Sequence, residues 1–86
     1  MEQNSRPIPA ATQVDAKLYA TEHCHLCEEA EAIIRRTGAT VLKIDIMDAG
    51  NLFDQYGTRI PVLQRTDNGA ELDWPFDEAK VSQFLE

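Results

Sequence analysis

The chain is short of basic residues, of cysteines and of long apolar runs, and each shortage removes a class of function. Eight lysines and arginines face fifteen acids, a formal net charge of −7, so the surface repels a phosphate backbone and offers no stripe of cations for counterion release. Nucleic acid is not an expected partner. No apolar stretch approaches the ~18 residues that a membrane helix requires, so none is expected to enter a bilayer. The opening residues, MEQNSRPIPAATQ, are polar, broken by prolines and without the apolar centre of a secretory signal. They are expected to form a disordered tail over residues 1–14, followed by one domain over 15–86 in a cytoplasmic setting. In such a setting the two cysteines rest reduced, and a CxxC pair there is more often catalytic or metal-binding than structural.

What is present is a clear alternation of strand and helix patterns. AKLYA, residues 16–20, is a short apolar run that suits a buried strand. In the stretch that follows, Cys27, Ala30 and Ile34 recur at helical spacing, while Glu28, Glu29, Glu31, Arg35 and Arg36 fill the other face. The acids lead, the arginines close, Glu31 stands four before Arg35 and Gly38 follows as a stop, all in keeping with a helix dipole. TVLKIDI, residues 40–46, alternates, and Leu42, Ile44 and Ile46 are expected to share one buried face of a strand. Asp48 is expected to cap a short helix from Ala49 to Tyr56, and RIPVLQR, residues 59–65, to begin a strand at Pro61. Thr66, Asp67, Asn68 and Gly69 then make the turn of an antiparallel hairpin with ELD. Asp77 can cap a last helix, DEAKVSQFLE, that buries Val81, Phe84 and Leu85. The order strand, helix, strand, short helix, strand, strand, helix predicts one α/β domain with a mixed sheet.

Cys24 and Cys27 stand three apart at the start of the first helix, close enough to form a disulfide without moving the chain. As a staple the bond would be poor, because a four-residue loop yields only about 2 kcal/mol in the chain-entropy model. The helix start explains the pair better: its unpaired N–H groups and positive dipole end favour a thiolate, the reactive form of cysteine. The dipole supplies only about 0.3–1 kcal/mol, so hydrogen bonds have to lower the Cys24 pKa further, helped by His23 and His25 when protonated and opposed by Glu28 and Glu29. Zinc would need four ligands and would have to recruit His23, His25 or a second molecule. No metal site is predicted. A c-type haem is excluded because Glu28, not histidine, follows the second cysteine. Inert burial does not account for a cysteine at the exposed start of a helix. Arg59 reads as a solvating loop residue or an attractor of anions, and Trp74 and Phe76 as packing anchors for the last helix.

CHLC after the first strand, RIPVL opening the third and the βαβ-then-ββα order together resemble the thioredoxin superfamily, at the size of a glutaredoxin. More narrowly, CHLCEEAEA, YGTRIPVL and ELDWPFD resemble a small bacterial glutaredoxin-like family. The resemblance covers Ala16 to Glu86 and implies a thioredoxin-like, glutaredoxin-like β-α-β-(α)-β-β-α fold, a four-stranded mixed sheet flanked by helices. It implies a thiol–disulfide oxidoreductase in which Cys24 attacks and Cys27 resolves. It further implies a cis Pro61 facing the cysteines, with the backbone of Ile60 pairing with the substrate, a disulfide-containing protein or small thiol. A monomer is expected. The rival reading is a non-catalytic module that holds a peptide or metal beside Pro61. Two departures bear on substrate: CHLC replaces the CPYC of glutathione-using relatives, and LDWPFD replaces their paired glycines. Trp74 and Phe76 are bulky where backbone must approach closely and Pro75 lacks an N–H donor, so no bound cofactor is expected and glutathione is a doubtful co-substrate. The strand AKLYA also lacks the buried acid that thioredoxins place before their CxxC.

Overall fold

The structure is a computed structural model that describes residues 14–86; the tail expected over 1–14 lies, but for Val14, outside the described residues. Strands β1 (Ala16–Ala20), β2 (Val41–Asp45), β3 (Val62–Arg65) and β4 (Glu71–Asp73) form one sheet in the order β2-β1-β3-β4. β1 pairs parallel with β2, Ala16 opposite Val41, and antiparallel with β3, Leu18 opposite Leu63. β3 and β4 form the expected hairpin. In its turn Gly69 adopts φ +77°, a left-handed conformation that glycine takes without penalty, and the Asn68 side chain accepts from the Ala70 N–H at 2.9 Å.

Helix α1 (His25–Arg36) connects β1 to β2, which makes the parallel pair possible. Its buried residues are Cys27, Ala30 and Ile34, the predicted stripe. Arg35 binds Glu31 at 2.8 Å, and beyond the last turn Gly38 turns the chain at φ +87°. Helix α2 (Gly50–Tyr56) and helix α3 (Glu78–Phe84) complete the fold. Asp77 caps α3 by accepting from the Lys80 N–H at 2.8 Å.

Because side chains alternate across a strand, the sheet has two apolar faces and each is covered differently. On one face Ala16, Leu18, Ala20, Val41 and Leu63 meet Cys27, Ala30 and Ile34 of α1, together with Phe76 and Val81. On the other, Tyr19 and Val62 meet Ile46 and Tyr56. Burying a side chain such as Leu18 or Leu63 contributes roughly 1.5–3 kcal/mol, so the first cluster is the mechanical base on which Cys27 stands.

The structure corrects three local expectations. Leu42 is 48% exposed: β2 is an edge strand, and the second face is covered by the Ile46 turn and the seven residues of α2, with Ile44 partly buried and Leu42 left in water. Asp48 does not cap α2. It belongs to a single 3₁₀ turn, Ile46–Asp48, which Asp45 caps through the Met47 N–H at 2.9 Å, and α2 starts at Gly50 without a side-chain cap. Strand β3 begins at Val62, one residue after the proline.

Candidate functional site

The site is assembled where β1 ends and α1 begins. Cys24 has extended φ/ψ and is the N-cap of α1; its Sγ accepts a hydrogen bond from the Cys27 N–H at 3.2 Å, and its carbonyl accepts from the Glu28 N–H at 3.1 Å. A sulfur thus occupies the position usually taken by a serine or aspartate oxygen, where orphan N–H groups need an acceptor. Cys24 and Cys27 are joined by a disulfide, with Cα atoms 5.2 Å apart. The two are not equivalent. Cys27 is 3% exposed and part of the main core, whereas Cys24 is half-buried at its edge.

The two histidines go to different places. His25 points along the outer surface of α1, with Nε2 2.8 Å from Glu29 Oε2. His23 lies in the β1–α1 turn with φ +59°. It lines a cavity of about 300 Å³ together with Thr21, Cys27, Glu28, Glu31 and Lys43. Across this cavity Lys43 of β2 reaches Glu31 of α1 at 3.2 Å. The Arg35 hydrogen bond, aided by Lys43 and opposed by partial burial, holds the Glu31 carboxyl below the usual carboxylate range.

Ile60 and Pro61 lie in the loop between α2 and β3 and do not line this cavity. The Ile60–Pro61 peptide bond is cis, Pro61 is buried, and Ile60 packs against the core cluster that holds Cys27. The Ile60 N–H is already committed, donating to the Tyr56 carbonyl at 3.1 Å; among the described residues its carbonyl accepts no hydrogen bond. Arg59 is neither a free cation nor a solvated loop residue. It donates to Glu71 and Asp73, each at 2.7 Å, and stacks over the Tyr56 ring. It therefore ties the loop before Pro61 to β4. Burial first, and then donation to Glu71, pushes the Tyr56 hydroxyl above the ordinary tyrosine range, while the Tyr56 and Arg59 hydrogen bonds hold Glu71 low.

Trp74 and Phe76 pack edge to face, ring centroids 5.0 Å apart, with Phe76 buried in the main core. Pro75, between them, offers no N–H. Among the described residues no group of three or more His, Cys, Asp or Glu side chains is placed to hold a metal ion.

Sequence reasoning missed the Glu31–Lys43 contact and the Arg59 clamp. A usable signal existed for each. Glu31 is four residues after Cys27 and so lies on its side of the helix, and Glu71 and Asp73 alternate on β4 and so point to one face.

The profile of the Glutaredoxin-like domain (DUF836) matches residues 16–86. Among solved structures, the X-ray structure of XcR50 from X. campestris is 35% identical, with a TM-score of 0.75 over 81% of this chain and 93% of that one. The solution structure of Ne2328 from Nitrosomonas europaea is 26% identical, with a TM-score of 0.71 over 100% of both chains. The glutaredoxin grx-1 of Archaeoglobus fulgidus, 14% identical with a TM-score of 0.60 over 96% of this chain and 98% of that one, shares the fold. No curated protein matches the chain.

Proposed function

From the premise that this chain belongs to the glutaredoxin-like domain family (DUF836), we propose that it is a thiol–disulfide oxidoreductase working through Cys24 and Cys27. The observation that carries this reading is the Cys27 N–H aimed at the Cys24 sulfur from the first turn of α1. A hydrogen bond to a charged group contributes about 1.5–3 kcal/mol and the helix dipole about 0.3–1 kcal/mol. With 1.4 kcal/mol per factor of ten, the hydrogen bond outweighs the dipole and enriches the thiolate at least tenfold. The carboxylate of Glu28 in the first turn works against this, and a protonated His25 works with it.

In the reduced enzyme the Cys24 thiolate attacks one sulfur of a substrate disulfide. The substrate S–S bond breaks, one half leaves as a thiolate and the other remains bonded to Cys24. The Cys27 thiolate then attacks Cys24, forming the internal disulfide and expelling the second half. A thiol or dithiol donor reduces the Cys24–Cys27 bond for the next cycle. An extended substrate backbone would donate an N–H to the Ile60 carbonyl, since the Ile60 N–H is taken. A disulfide-bearing protein or small thiol acting on a cytoplasmic monomer completes the proposal. Glutathione is the weaker donor in this scheme, because Trp74, Pro75 and Phe76 close off the backbone that would hold its carboxylate.

The test is covalent trapping. Cys27→Ser should accumulate a mixed disulfide with substrate, visible by mass, and Cys24→Ser should abolish disulfide reduction. Equal reductase activity in wild type and Cys24→Ser would refute the proposal and leave the non-catalytic module.

A further inference from the structure

We propose that His23 accepts the proton of the Cys27 thiol during resolution of the mixed disulfide, through the cavity that both residues line. The inference rests on the oxidoreductase reading above and adds to it the base that the second step requires.

Cys27 is 3% exposed, so its thiol cannot pass a proton directly to bulk water, and only the thiolate can attack. The cavity of about 300 Å³ beside it is the available route, since that space holds several waters at ~30 Å³ each. Its charged lining comes from every element around it: Glu22 and His23 from the turn, Glu28 and Glu31 from α1, and Lys43 from β2. An adjoining hollow adds Asp45 and Asp48. These groups do not compete equally. Glu31 is engaged by Arg35 at 2.8 Å and Lys43 at 3.2 Å, which stabilises its ionised form and makes it a weak base. Lys43 is a cation with no free lone pair. Carboxylates in general stand about four pKa units below a thiol and imidazole about two, so transfer to imidazole is roughly a hundredfold less unfavourable.

The backbone at His23 fixes where the imidazole stands. At φ +59° it occupies the left-handed region, in which histidine, with asparagine and aspartate, is several-fold enriched among non-glycine residues, and the turn so formed sets the residue at the mouth of the cavity. Among the described residues that side chain makes no hydrogen bond, and it stands at the exposed rim of the cavity.

The step balances. The Cys27 proton crosses the cavity to an imidazole nitrogen, and the sulfur lone pair so released forms the Cys27–Cys24 bond. The bond between Cys24 and the substrate sulfur breaks, and its electron pair leaves with the substrate thiolate. The thiolate takes a proton from solvent, and the imidazolium returns its own to solvent at the rim. The substrate disulfide is reduced by two electrons and the dithiol is oxidised by two.

The test mixes reduced full-length protein with excess aromatic disulfide whose released thiolate is coloured. The first burst reports attack by Cys24 and rises with disulfide concentration; the second reports resolution by Cys27 and does not. His23→Asn keeps a residue that tolerates left-handed φ, and His23→Gly relaxes the backbone and opens space, so at least one variant should fold. At neutral pH either variant should slow the second burst about tenfold or more relative to the first, within the range of general base catalysis. Added imidazole should restore it, and the slowing should vary with pH. A second burst unchanged in both variants, or slowed by the same factor at every pH without imidazole rescue, would overturn the assignment. A wild-type protein with no first burst would instead refute the oxidoreductase reading, which keeps the two failures distinct.

Discussion

Tyr19 of β1 and Tyr56 at the end of α2 stack with ring centroids 4.1 Å apart and planes 11° from parallel. Their hydroxyls converge on a cross-strand pair, Tyr19 donating to Gln64 at 2.8 Å and Tyr56 to Glu71 at 2.7 Å, and Gln64 in turn donates to Glu71 at 3.3 Å. The Tyr56 carbonyl also accepts the N–H groups of Arg59 and Ile60. One residue thus links the sheet, the short helix and the loop that carries Arg59 and Ile60. Tyr56→Ala should cost about 3–5 kcal/mol, as for other large aromatic truncations. Tyr56→Phe, which keeps the stack and loses one hydrogen bond, should cost about 1 kcal/mol. Urea denaturation of both variants measures the difference, and equal costs would show that the stack contributes little.

Tyr56 and Glu71 also make stability depend on pH. Glu71 binds a proton less readily in the folded chain than in the unfolded one. Its contribution is therefore complete above the ordinary glutamate value of ~4.3 and is lost as pH falls through the lower folded value. Tyr56 is shifted the opposite way: its contribution is complete below ~10 and is lost as pH rises above that. Glu71→Gln should flatten the acid limb of a stability–pH curve and Tyr56→Phe the alkaline limb; because the Tyr56 hydrogen bond is the first cause of the Glu71 shift, Tyr56→Phe should also weaken the acid limb, whereas Glu71→Gln should leave the burial part of the alkaline limb.

Gly57 predicts a steric effect near the site. A Cβ there would sit 2.6 Å from the Phe53 carbonyl oxygen, although φ at −53° is open to any residue. Gly57→Ala should therefore destabilise by about 1–3 kcal/mol through overpacking and displace the loop that carries Arg59 and Ile60. Thermal unfolding measures the cost; no change would mean that the end of α2 yields freely.

Charge should sort substrates. With a formal net charge of −7, and with Glu22 and Glu28 beside the cysteines, a lysine-rich peptide disulfide should react faster than a glutamate-rich one at low salt. The gap should narrow near 1 M salt, where screening acts within ~3 Å. A gap insensitive to salt would place the selectivity in contacts rather than in the field.

Local signals carried the architecture because most of it is local. The stripe Cys27, Ala30, Ile34, the turn ending at Gly69 and the cap at Asp77 each lie within a few residues of the structure they specify. Alternation reveals a strand's two faces but not whether a neighbour is long enough to cover them, so Leu42 lies in water despite its place in the pattern. Asp48 caps nothing because Asp45, three residues earlier, captures the turn first. The Arg59 contacts with Glu71 and Asp73 and the Lys43 contact with Glu31 span 12 to 14 residues between elements. Spacing puts Glu31 on the Cys27 side of its helix and Glu71 and Asp73 on one face of β4, but the partner each meets depends on register and helix placement, which that spacing does not encode. For the site, the CxxC and its helix start were legible, whereas the different surroundings of His23 and His25 became distinct only once the turn's left-handed backbone was in view.

The central claim is that the cap geometry makes Cys24 the activated thiol of the pair, and the pH dependence of its reactivity tests that most directly. In Cys27→Ser, the rate of Cys24 alkylation across the pH range should follow a midpoint at least one unit below the ~8.5 of a free cysteine, because the residue 27 N–H is retained. A midpoint at or above that value would contradict the account, for it would mean that the amide aimed at the sulfur does not stabilise the thiolate.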